Sequence, residues 1–136
     1  MSIWSTYGTD SDEAWVDVPD NDGNVARFKL GYVNGANSEF IKEFERVIRP
    51  HRRRLRKGQT LDVELQQEIL VKVFAKTALL DWENIADRNG NPYPYSVDNA
   101  VKLLTELPTL FDILQMEAAN NSNFQTEALS DEAKNL

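Results

Sequence analysis

The sequence predicts a mainly α protein: a small bundle of four to five helices with an N-terminal β-hairpin. Three observations carry that expectation. Apolar residues recur at helical spacing through Phe40–Ile48, Ile69–Leu80 and Val97–Leu104. Ala26, Phe28 and Leu30 instead alternate with Arg27 and Lys29, the period of a strand with one apolar face. Helix punctuation stands where those patterns begin and end, as Ser96, Pro108 and Gly58.

Residues 1–12 show no periodicity and read as a flexible arm, with Trp4 and Tyr7 as docking points. A hairpin follows over about 14–30. Trp15, Val16 and Val18 form one strand, Pro19 to Gly23 the turn, and Ala26 to Leu30 the second strand. The turn Asp20-Asn21-Asp22-Gly23 resembles a calcium loop only superficially. Aligning Gly23 with the required glycine puts Val18 at the first ligand position and Lys29 where a bidentate glutamate belongs.

Asn34-Gly35 marks a turn, and Asn37 or Ser38 caps a helix whose Phe40, Ile41, Phe44, Val47 and Ile48 form an apolar stripe. Pro50 interrupts it. The run HRRRLRKG then has only Leu55 to bury, and Gly58 suits a left-handed stop. Thr60 or Asp62 caps a third helix reaching about Leu80, apolar on more than one face as a central helix must be.

After Trp82, Asn89-Gly90 is a strong turn signal that lets Ile85 and Tyr93 face each other in a very short hairpin. Pro92 and Pro94 alternate with Tyr93 and Tyr95, which removes two backbone donors and favours an extended path over a surface. Ser96 caps the next helix, and Pro108 ends it and starts another. Asn120 to Asn123 form a polar stop. Thus residues 13–122 make a single domain, and residues 123–136 a polar, flexible tail with at most a marginal helical turn around Glu127–Ala133.

Composition bounds the function. A chain of 136 residues suits one domain, and the absence of cysteine excludes disulfides, thiolate catalysis and Cys-based zinc sites. The N-terminus lacks the basic and apolar regions of a signal peptide, and no apolar run is long enough to span a bilayer, so no membrane role is expected. The single His51 has no adjacent carboxylate, and no phosphate loop or HExxH appears. No catalytic, cofactor-binding or metal residue is assigned, and the chain is not read as an enzyme.

The net charge of −7 disfavours generic nucleic-acid binding, yet the charge is uneven. Lys42, Arg46, Arg49, Arg52, Arg53, Arg54, Arg56 and Lys57 form a basic band, while the first thirty residues are acidic. Such a band is a solvated face, a phosphate contact, or a surface for an acidic protein, another copy of this chain included. Candidate partner-binding residues are therefore Arg49, Arg52, Arg53, Arg54, Arg56 and Lys57, together with Trp82, Tyr93 and Tyr95 as a pre-formed aromatic groove. From their chemistry alone the same aromatics read first as core, in a helix–loop–helix corner.

Trp82, the Asn89-Gly90 turn, Pro94-Tyr95-Ser96, Asn99-Ala100, Leu103-Leu104 and Leu107-Pro108 occur in an order that resembles tail assembly chaperones of long-tailed, siphovirus-like bacteriophages. The resemblance covers the second half of the chain well and the first half loosely. It implies a protein of the host cytoplasm, absent from the mature virion, that binds the tape measure protein, keeps it soluble and helps tail tube subunits polymerise around it. It also implies contact with the tail tube protein through a frameshifted longer product. Two alternatives stand beside it: a small nucleic-acid-binding regulator using Arg52–Lys57, and a structural head or tail component retained in the virion.

Overall fold

The computed structural model describes residues 12–34, 39–58 and 61–124. The expected arm, the caps at Asn37, Ser38 and Thr60, and the tail beyond Phe124 lie outside the described residues.

Strands β1 (Glu13–Pro19) and β2 (Val25–Gly31) pair antiparallel in the register Val16 to Phe28 and Ala14 to Leu30. The turn between them is built as its composition requires. Asp20 Oδ1 accepts from the amides of Asp22 and Asn24 at 2.8 and 2.9 Å, and Gly23 takes φ +85°. Helix α1 (Glu39–Ile48) runs through a 3-10 turn at Arg49–His51 into the short α2 (Arg52–Arg56), and Gly58 turns left-handed after it at φ +78°. Helix α3 (Val63–Thr77) is central. Its Val71, Phe74 and Ala75 enter the main core, while Ile69 and Val73 join a second cluster under Phe44 and Ile48 of α1.

The chain then departs from expectation. Leu79–Glu83 is a third strand, β3, antiparallel to β2, giving a sheet of order β1-β2-β3. The mainly α bundle of four to five helices with a separate hairpin is therefore corrected to an α+β arrangement, in which helices cover one face of a three-stranded antiparallel sheet. The reason lies in Leu80. Leu79 and Trp82 are both buried, but three residues apart they would point to opposite faces of a regular strand. A register shift between the partners Lys29 and Leu30 absorbs the odd residue and turns both side chains inward. Gly31 eases the close approach at this junction. Its amide donates to Ala78 O at 2.7 Å, and a Cβ there would stand 3.3 Å from Thr77 O.

Helices α4 (Val97–Glu106) and α5 (Pro108–Ala119) close the core with Ala100, Leu104, Phe111, Leu114 and Ala118. Ser96 Oγ accepts from Asn99 N at 3.0 Å, the expected cap, and Pro108 opens α5. A 3-10 turn at Asn121–Phe124 then buries Phe124 against Tyr32, with ring centroids 4.8 Å apart, so packing extends past the Asn-rich stop. The other sheet face is polar. Arg27 bridges Asp17 at 3.1 Å and Glu83 at 3.4 Å and lies 5.0 Å from the Trp15 ring, while Lys29 meets Glu13 at 3.1 Å.

Candidate partner-binding groove

The site is built around the segment after β3. Asp87 organises a turn by accepting from the amides of Asn89 and Asn91 at 2.8 and 3.0 Å, and Gly90 takes φ +84°. Ala86 bridges Pro92, and Tyr93 N donates to Ile85 O at 2.9 Å, which is the very short hairpin that the Asn-Gly pair predicts. The proline-tyrosine stretch beyond it is clamped at three points. Trp82 Nε1 donates to Tyr93 O at 2.8 Å, Asn99 Nδ2 donates to Pro94 O at 2.9 Å, and Tyr95 Oη donates to Leu79 O at 2.8 Å. Tyr93 and Tyr95 meet the Trp82 ring edge to face, at centroid distances of 5.8 and 5.3 Å. Burial, with the charge of Asp81 adding to it, raises the Tyr95 hydroxyl pKa above 10.0, so this phenol stays a donor.

These clamps hold one wall of an open groove of about 1130 Å³. Phe28 and Trp82 form its floor. Val18 and Ala26 of the hairpin line one side, Ile85, Pro92 and Pro94 a second, and Leu103, Leu107, Leu110 and Ile113 of α4 and α5 a third. Trp82 is 6% exposed, so it supports the groove from beneath. Leu107 and Ile113 are among the apolar side chains left in solvent at the rim, at 46% and 39% exposure. Such a surface can accept a row of apolar side chains from a partner.

The structure brings Trp82, Tyr93 and Tyr95 together here. Arg49, Arg52, Arg53, Arg54, Arg56 and Lys57 lie elsewhere, exposed on the 3-10 turn, α2 and the residue after it, and among the described residues none of them makes an ion pair. From sequence, Leu110 and Ile113 belong to the apolar face of the helix that Pro108 starts, and Leu107 ends the helix before it. Their contribution to an open groove depends on where β1 and β2 end, which local periodicity does not contain. Among the described residues no cluster of three or more His, Asp or Glu could hold a metal ion, and no helix is long and apolar enough to cross a membrane.

No curated protein and no solved structure matches the chain. A family model described as the YdaY prophage protein matches residues 35–135, from just after the hairpin to the last residue but one. That stretch holds every helix among the described residues, β3 and two of the groove's three sides, from Ile85 to Ile113, while the hairpin supplies the third side and Phe28 of the floor. By that match the chain belongs to the YdaY prophage protein family and is a phage-related protein.

Proposed function

We propose that this prophage protein is a tail assembly chaperone that binds the tape measure protein and keeps it soluble while tail tube subunits polymerise around it. The open groove over Trp82 carries this reading, because its floor and most of its walls are apolar side chains that suit an apolar stripe on a helix. The order of Trp82, Asn89-Gly90, Pro94-Tyr95-Ser96 and Leu107-Pro108, which resembles such chaperones, supports it further. On this reading the protein works in the host cytoplasm, is left out of the finished virion, performs no catalysis, and reaches the tail tube protein through a longer frameshifted product.

The test is co-expression of the tagged chain with the tape measure candidate of the same prophage, followed by purification with nuclease at about 0.5 M salt, where exposed-charge contacts are strongly screened. Retention with rescued solubility of the partner supports the chaperone. Loss of the partner, with nucleic acid recovered once salt and nuclease are omitted, would instead favour a small regulator acting through the exposed cations at Arg52–Lys57. Recovery of the chain in purified particles would make it a structural component.

A further inference from the structure

A second apolar opening of about 310 Å³ lies between α1, α2 and the start of α3, lined by Phe44, Ile48, Leu55, Leu61, Ile69 and Leu70. Gln66 also borders it, and its amide donates to Leu61 O at 2.7 Å. Leu55 is 44% exposed at the mouth. The backbone keeps helical sense through Pro50, since Ile48, His51 and Arg52 all hold right-handed helical angles. Ile48, Arg52 and Leu55, spaced by four and then three residues, consequently share one face. Arg49, Arg52 and Arg56, spaced by three and four, stand in a column along it.

These cations differ from every other described cation except Lys102, which also meets no carboxylate among the described residues. Arg27, Lys29, Lys42, Arg46, Lys72, Lys76 and Arg88 each meet a carboxylate, whereas the column and its neighbours Arg53, Arg54 and Lys57 meet none among the described residues. Clustered like charges repel one another and gain only when an outside anion approaches. In a chain of net charge −7 this is a local exception beside an apolar slot.

We infer that the slot and the Arg49, Arg52, Arg56 column form a second docking site, for a short amphipathic helix of a partner protein whose apolar ridge is flanked by Asp or Glu. The ridge fills the slot and its acidic flank neutralises the column. Nucleic acid would use the cations but leave the apolar lining empty. This site is separate from the groove over Trp82, and its occupant need not be the tape measure protein.

The test titrates the isotope-labelled full chain with a synthetic amphipathic peptide carrying leucines at helical spacing flanked by glutamates, and with the same peptide carrying lysines for the glutamates. The glutamate peptide is expected to shift the amides of Ile48, Leu55 and Leu61 and to bind more weakly as salt rises. Arg52→Glu and Leu55→Asp, both at exposed positions, should each weaken it about tenfold, or about 1.4 kcal/mol, without lowering the melting temperature. The inference is overturned by equal response to both peptides, no response to either, shifts confined to the Trp82 groove, or binding of a duplex oligonucleotide that Arg52→Glu abolishes and Leu55→Asp leaves intact. A dimer that Arg52→Glu dissociates would equally overturn it, in favour of a second copy as occupant.

Discussion

Replacing Trp82 with alanine removes a ring that is 94% covered and that Phe28, Tyr93 and Tyr95 all meet edge to face. Truncating a buried Trp to Ala costs about 3–5 kcal/mol. The loss of the indole donor, which strands the Tyr93 carbonyl, accounts for about 1 kcal/mol of that. Taking about 4 kcal/mol and a urea slope of about 2 kcal/mol per M, the midpoint followed by far-UV circular dichroism should fall by about 2 M. Trp82→Phe keeps most of the apolar contact and loses the donor, so its midpoint should fall by roughly a third as much. A total stability of about 5–15 kcal/mol leaves the alanine variant marginal but measurable in the cold. An alanine variant that melts like the parent chain yet no longer retains the tape measure protein would refute the supporting role of Trp82 and make the ring itself a docking residue.

Three further outcomes follow from the same geometry. Ile113→Glu, at a rim position 39% exposed, should change stability by about 0.5 kcal/mol or less and abolish tape measure retention in the co-purification assay. Ser96→Ala should cost about 1 kcal/mol by calorimetry, because the Asn99 amide loses its cap. Hydrogen bonds from Arg46, aided by Lys76 and only partly opposed by burial, hold the Glu43 carboxyl at about 2 against an ordinary 4.5. A carboxylate with a lowered folded-state pKa stabilises fully above its unfolded value and loses that contribution as pH falls through the folded one. Glu43→Gln should therefore flatten the acid limb of the stability profile between about pH 5 and 2, by no more than about 1 kcal/mol once solvent screening is allowed for.

Elements whose signal is local could be read from the chain. The β1–β2 hairpin follows from the alternation of Ala26, Phe28 and Leu30, and the Ser96 cap and Pro108 start follow from single residues whose chemistry admits few other roles. Strand β3 could not be read in this way. Its Leu79 and Leu80 continue the apolar run of α3 without a break, and the register shift that buries both Leu79 and Trp82 erases the alternation that marks a strand. The pairing of β3 is decided by β2, far away in sequence. The candidate site divides in the same manner. The three aromatics were expected as a groove and the cation run as a band, but local pattern gives no sign that α4 and α5 wall the groove or that the cations edge a separate apolar slot. Phe124 shows the converse error, since polar neighbours concealed a buried ring.

Strand β2 sits between a partner that precedes it and one that is made much later, with Arg27 and Glu83 separated by 56 positions in the chain. At a synthesis rate of about 5–20 residues per second, a ribosome needs roughly 3–11 seconds to travel from one to the other. For most of that delay Phe28 and Leu30 have neither α3 over them nor β3 beside them, and a two-stranded hairpin alone is marginal in water. Translation thus leaves an apolar strand edge bare until the second half of the molecule emerges. A slower codon stretch between Leu30 and Leu79 would lengthen the exposure and raise the demand for host folding factors, so a protein we read as a chaperone begins as a client.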